Sequence, residues 1–340
     1  MSRGLFQYHP TIGYQFIPGL KARVDHKGQC AYLVRVNGQG FRSEHEFQVA
    51  KSPGKFRVLL FGDSFTAGDG VSNKHRYSDV LEELLPDVEV YNMGLPGSGT
   101  DQQYLVYREL GSSLAHDLVV IAVQVENINR VNARFRVYAD DAGNSQIFAK
   151  PYFQLQPDGR LALEHVPVPK EPIVPADIPA DQQRFVDGGA QSGRHAWLRR
   201  TINRMGPQVK DLVQKFSRYQ PLPGYDRTDD PRWQLMKAIL LQWIGEISTP
   251  ALVFPVPLYH YIEEAASPRA YQARFDELRE LPNVIVHDPL SDFLRQPVSA
   301  RRGFRFELDP HPTPAGHRVL AESLAQAIAP LVKRKVHSRI

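Results

Sequence analysis

The sequence predicts an α/β protein built on a doubly wound parallel sheet. Three observations predict it. Short apolar runs recur along the chain, bounded by glycine, proline or polar residues. The clearest of them are apolar at nearly every position, as strands buried on both faces are. Segments with apolar residues at helical spacing alternate with these runs, which is the pattern of a parallel sheet with crossover helices.

Residues 1–52 come first and are polar, aromatic and turn-rich. Tyr14-Gln15-Phe16 and Tyr32 to Val36 read as short strands, with Asn37-Gly38 as a turn before Gly40-Phe41-Arg42. This stretch is expected to be a β-rich lead-in packed on a main domain of residues 53–340. The main domain opens with a strand at Phe56 to Phe61, broken by Gly62-Asp63-Ser64. A helix follows over 75–85, then a strand over 88–91. Gly94, Gly97 and Gly99 form a loop, and Thr100-x-x-Gln103 has the form of a capping box at a helix start. Asp117 to Val125 is a third strand.

The alternation then stops. Residues 133–230 are rich in proline and charge and are expected to be an inserted cap region. Within it, Phe153-Gln154-Leu155 and Leu161-Ala162-Leu163 flank Pro157-Asp158-Gly159 and predict a hairpin. Short helices are expected over 195–204 and 209–216. Regularity returns at Asp230-Pro231, an N-cap and first-turn pair. Trp233, Met236, Ile239, Leu240, Trp243 and Ile244 lie on one helix face. A fourth strand at 251–254, a helix over 271–280, a fifth strand at 284–286 and a last helix capped by Thr313 complete the pattern.

The chain has 340 residues, of which 42% are hydrophobic and 23% charged, as a globular protein has. The formal charge of +4 is mild and spread over both halves, so nucleic acid is not an expected partner. The single cysteine, Cys30, excludes an internal disulfide and a cysteine metal site. No apolar stretch is long enough for a membrane span. The first 20 residues do not read as a signal peptide. The expected location is cytoplasmic.

Four pieces carry chemistry. Ser64 is the only hydroxyl at the break after the first strand, and ligands of open parallel sheets sit at the carboxyl ends of strands. The glycine-rich loop 92–100 precedes a helix and offers backbone N–H groups to an anion. Asn127, at the end of the third strand, offers a side-chain donor to developing negative charge or a helix cap. Asp309-Pro310-His311 sets a carboxylate two residues from an imidazole on a stiff turn, so that the acid can orient the ring. A serine needs such a base and acid to become a nucleophile.

In this order the four pieces resemble the sequence blocks of the SGNH, or GDSL-type, hydrolase superfamily. Gly62-Asp63-Ser64-Phe65-Thr66-Ala67-Gly68 is similar to its nucleophile block. Gly97, five residues after Asn92, matches the glycine that donates to the oxyanion hole. Asn127 falls where the third block's asparagine stands, with Asn129 as the alternative. Asp309 and His311 fall in the last block. The resemblance covers residues 55–128 and 250–332. Two departures are visible: Val125-Glu126-Asn127-Ile128 replaces glycine-x-asparagine-aspartate, and the step from acid to histidine is two residues rather than three, with Leu308 at the usual acid position.

The resemblance implies a three-layer α/β/α fold with a five-stranded parallel sheet. It also implies a serine esterase with Ser64, His311 and Asp309 as triad and Ser64, Gly97 and Asn127 as oxyanion hole. Asp63, Tyr259 and His260 are candidate substrate-binding residues. No cofactor and no metal are implied, and the expected partner is a small-molecule or carbohydrate ester. An acyltransferase with the same triad, and a silent carbohydrate-binding protein, are the alternatives. A phosphate-binding role for the glycine loop is disfavoured, because the P-loop lysine is missing.

Overall fold

The apolar runs form one sheet. Strands β5 (Phe56–Phe61), β6 (Val88–Asn92), β7 (Leu118–Gln124), β12 (Ala251–Val256) and β13 (Val284–Val286) pair in the order β13-β12-β7-β5-β6. All four pairings are parallel. This computed structural model describes residues 3–26, 30–139, 144–186 and 220–337. Every residue of β5, β7 and β12 is buried, so helices must cover both faces of the sheet. One helix pair is Tyr77–Leu84 with Pro314–His337, and the other is Thr100–Glu109 with Pro231–Glu246. Tyr77 of the first pair packs on Phe254 of β12; Trp243 of the second packs edge-on against Phe61 of β5 at 5.3 Å. The result is the three-layer, doubly wound sheet that the alternation and the resemblance predict.

Caps set where the helices begin. Asp230 accepts from the backbone N–H of Arg232 at 2.9 Å, and Pro231 holds the first helical position, as read from the sequence. Thr313 Oγ1 accepts from Gly316 N–H at the start of the last helix. The capping box near Thr100 is displaced by one residue from the expected position. Gly99 is the N-cap, its N–H donates to Gln102 Oε1, and Gln103 turns instead to Ser98 Oγ. A glycine has no side chain to close its half of the box, which is why the sequence pointed to the neighbouring threonine.

Strand order decides where a ligand can go. Chain order runs from β5 to β6 on one side and back past β5 to β7 on the other. The sheet therefore has its topological switch point between β5 and β7, and crevices open at the carboxyl ends there. Two flanking regions reach that edge. Residues before β5 form two antiparallel pairs, β1 (Phe6–His9) with β2 (Gly13–Phe16) and β3 (Lys21–Val24) with β4 (Tyr32–Arg35). After β7, β8 (Phe135–Ala139) pairs with β9 (Ser145–Ala149), and β10 (Tyr152–Leu155) with β11 (Leu161–Glu164). The second of these is the expected hairpin; the first was not legible. The expected helices at 195–204 and 209–216 lie outside the described residues. No helix among the described residues is long and apolar enough to cross a membrane.

Candidate active site

The turn after β5 presents Ser64. A short helix, Ser64–Ala67, starts at the serine itself, and Gly68 ends it in the left-handed region at φ 82°. Asp63 caps it by accepting from Phe65 N–H at 3.0 Å. The turn is packed from below by the loop after β6: a Cβ on Gly94 would lie 2.4 Å from the backbone nitrogen of Ala67. Only glycine lets the two backbones meet there.

His311 closes on the serine from the loop before the last helix. Its Nε2 lies 2.7 Å from Ser64 Oγ, and its Nδ1 bonds Asp309 Oδ1 in a very short contact. The Asp309 carboxylate also accepts from the His311 backbone N–H at 2.9 Å, which fixes the turn. With the Nδ1 proton directed to the carboxylate, Nε2 is left as the acceptor for the serine hydroxyl. Two segments 247 residues apart thus join at the sheet edge.

His26, just beyond β3, joins the same carboxylate. Its Nε2 donates to Asp309 Oδ2 at 3.0 Å, and its ring packs on Phe306. Burial pushes the Asp309 carboxyl up, but its bonds to His311 and His26 outweigh that and hold it well below the usual carboxylate range. Burial pushes His311 down, and the bond to Asp309 with the field of Asp69 more than offsets it, so its pKa is raised.

Ser64 and His311 open on a cleft of about 570 Å³. Gly97, Asp69, Glu126 and Arg136 line it together with Ser64 and His311. Tyr259 and His260 also line it, and so do Val137, Pro221 and Leu222 from the stretch between β7 and β12. Gly97 sits at φ 72°. Neither the Ser64 N–H nor the Gly97 N–H donates to a protein atom among the described residues. Two unpaired backbone donors beside a hydroxyl can together receive a negatively charged oxygen.

Two expectations are corrected. Asn127 does not line the cleft; it is fully buried, and neither of its amide atoms has a hydrogen-bond partner among the described residues. Asn129 does not line it either. A short helical turn, Asn127–Arg130, begins directly after Glu126, so residues 126 and 130 share a face and 127 lies about 100° around from them. The cleft is met there by Gln124, Glu126 and Arg130. Asp63 does not line the cleft: besides its capping bond it accepts from Arg130 at 2.5 Å and is 1% exposed.

Sequence reading missed Asp69, Arg130, Arg136, Tyr14 and His26. Asp69 is five residues from Ser64 and could have been noticed as an acid near the same turn. The others reach the site only through tertiary contacts. Among the described residues no three His, Cys, Asp or Glu side chains gather closely enough to hold a metal ion.

No family model matches the chain, and no curated protein matches it. Solved structures do. A member of the lipolytic protein G-D-S-L family from Veillonella parvula is 10% identical, with a TM-score of 0.42 over 81% of this chain and 98% of that one. An acetyl xylan esterase is 13% identical, with a TM-score of 0.42 over 80% and 100%. The lipase/acylhydrolase from Enterococcus faecalis is 14% identical, with a TM-score of 0.40 over 80% and 95%. Likenesses this distant carry nothing about chemistry, which rests on the geometry at Ser64.

Proposed function

We propose that this protein is a serine esterase of the SGNH type, hydrolysing an acyl ester through Ser64, His311 and Asp309. The unbroken chain of contacts from Ser64 Oγ through His311 to Asp309 is the observation that carries this reading. His311 Nε2 takes the hydroxyl proton as Ser64 Oγ attacks the ester carbonyl. The Ser64 and Gly97 N–H groups receive the negative charge on the carbonyl oxygen. His311 then returns the proton to the leaving alcohol, and a water molecule activated by the same ring releases the acid from Ser64. Asp309 stabilises the imidazolium through both steps.

The cleft lining bears on the substrate. Asp69, Glu126, Arg130, Arg136 and His260 give it charged and hydrogen-bonding walls, which suit a hydroxyl-rich alcohol with a short acyl group better than a long alkyl chain. Acetylated carbohydrates are the class that fits.

Labelling with a fluorophosphonate, followed by mass spectrometry, tests the nucleophile. Intact protein should be modified at Ser64, and Ser64→Ala should neither label nor hydrolyse p-nitrophenyl acetate above about one part in a thousand of the parent rate. Modification that persists in Ser64→Ala would remove Ser64 from the mechanism. On a panel of esters, acetylated sugars should be cleaved well and p-nitrophenyl palmitate poorly; the reverse order would overturn the substrate class.

A further inference from the structure

The Gly97 N–H belongs to the peptide whose carbonyl is that of Pro96. The donor strength of an amide N–H depends on what its own carbonyl is doing, because a hydrogen bond to the oxygen draws electron density out of the nitrogen. The Pro96 oxygen is not idle. Tyr14, in β2 of the lead-in, donates its hydroxyl proton to it at 2.7 Å. Arg136, in β8 of the inserted region, donates from Nη1 to the Tyr14 oxygen at 2.6 Å and from Nη2 to Pro96 O at 3.4 Å. The same Nη1 reaches Gly97 O at 2.5 Å. The guanidinium lies over the Tyr14 ring, 4.8 Å from its centroid. The hydrogen-bond partners of Arg136 among the described residues are neutral oxygens and no carboxylate, so its charge is not drawn off elsewhere.

We propose that Tyr14 and Arg136 are positioning residues of the oxyanion hole, holding and polarising the Pro96–Gly97 peptide so that its N–H points to the cleft as a strengthened donor. The proposal rests on the esterase reading. A chain runs from the Arg136 cation through the Tyr14 hydroxyl and the Pro96 carbonyl to the Gly97 N–H. Bonds in such a chain reinforce one another, by about 10–30% per bond. Tyr14 is 4% exposed, and burial keeps its hydroxyl protonated, so the donor is present at any working pH. The loop does not depend on Tyr14 for its path: Leu95 N–H donates to Gly62 O at 2.9 Å and Ser98 N–H to Leu95 O at 3.1 Å. Removing one hydroxyl should therefore weaken the donor without unfolding the loop.

The test uses the full chain and Tyr14→Phe. Deleting a whole oxyanion donor costs about 100-fold or more in kcat, so weakening one should cost about tenfold. We expect kcat on p-nitrophenyl acetate to fall by about that factor with KM within about twofold. The affinity for a boronic acid, whose tetrahedral adduct on Ser64 fills the hole, should fall in parallel, and the melting temperature should stay near the parent's. Arg136→Gln should show the same split, and the double variant should lose less than the product of the two single factors. If Tyr14→Phe fails to fold, Arg136→Gln carries the measurement. Unchanged kcat and boronate affinity, or a rise in KM alone, would make the hydroxyl merely structural and overturn the proposal. A parent protein that neither labels with fluorophosphonate nor turns over would bring down the esterase reading first, and this inference with it.

Discussion

Asp69 lies in the cleft beside Ser64 and His311 and makes no side-chain hydrogen bond or ion pair among the described residues. Its negative charge therefore acts on His311 through space, and it is the second of the influences that raise the imidazole pKa, after the Asp309 bond. In the proposed mechanism His311 works as a base only when neutral. The acid limb of kcat/KM for the parent should thus fall above the ordinary imidazole value, with activity rising as pH rises through it. Asp69→Asn removes a charge that favours imidazolium, so His311 should lose its proton at lower pH and the acid limb should move down. A pH–rate profile of both proteins checks this. A limb that stays in place would mean that Asp69 is itself protonated in the working range, as its burial tends to make it. At this scale the sequence showed what was local. Ser64 and the pair Asp309 and His311 stand in short, rigid strings, Gly-Asp-Ser and Asp-Pro-His, whose spacing already sets their geometry. Asn127 misled because an asparagine in the right block says nothing about which side of a helical turn it occupies.

Among the elements, the turn after β5 and the loop after β6 are the pair on which the position of Ser64 depends. The Ser64–Ala67 helix has only four residues and could not hold its shape alone. It is fixed by Asp63 at its start, Gly68 at its end and the Gly94 backbone pressed beneath it. Gly94→Ala would put a methyl group 2.4 Å from Ala67 N and 2.8 Å from the Thr66 carbonyl carbon, both of them backbone atoms that cannot rotate away. We expect it to destabilise the fold by about 3 kcal/mol and to slow Ser64 labelling by more than the loss of folded protein explains. A urea melt with parallel fluorophosphonate kinetics separates the two effects. Strands and main helices were legible because apolar runs and helical spacing are printed in the sequence itself. The β8–β9 hairpin was not. Its strands, FRVYA and SQIFA, are short, mixed in polarity and joined by residues without the Asn-Gly or Pro-Asp-Gly signal that marked the next hairpin.

On the scale of the molecule, the lead-in touches the site edge at three points: Tyr14 at the oxyanion loop, His26 at Asp309, and Arg42 at the turn after Ser64. None of these was readable in the chain, because 82, 283 and 26 residues separate the partners. Arg42 is the most deeply committed. It is 1% exposed, and its guanidinium donates to Gly68 O at 2.7 Å, Val71 O at 2.8 Å and Asn73 Oδ1 at 3.0 Å. Burial draws its pKa down to about 10, so it still carries its charge at neutral pH. Two effects compete when it is replaced. Arg42→Met removes a buried cation, which by itself would stabilise, and withdraws its donors: Gly68 O keeps the Val71 N–H and Asn73 Oδ1 keeps the Arg35 N–H, but Val71 O is left without a donor among the described residues, which costs about 1–3 kcal/mol. Methionine fills the volume but offers no donor, so the second effect should win by about 1–2 kcal/mol. Lysine at this position should recover only part of the loss, since a single ammonium cannot match three divergent acceptors. If the lead-in is bound to the sheet as tightly as these bonds indicate, far-ultraviolet dichroism and loss of Ser64 labelling should follow one urea transition in the parent and in Arg42→Met, with the midpoint lower in the variant. Labelling that disappears well before the dichroism changes would show that the lead-in lifts off by itself. The active site would then depend on an attachment weaker than the fold beneath it.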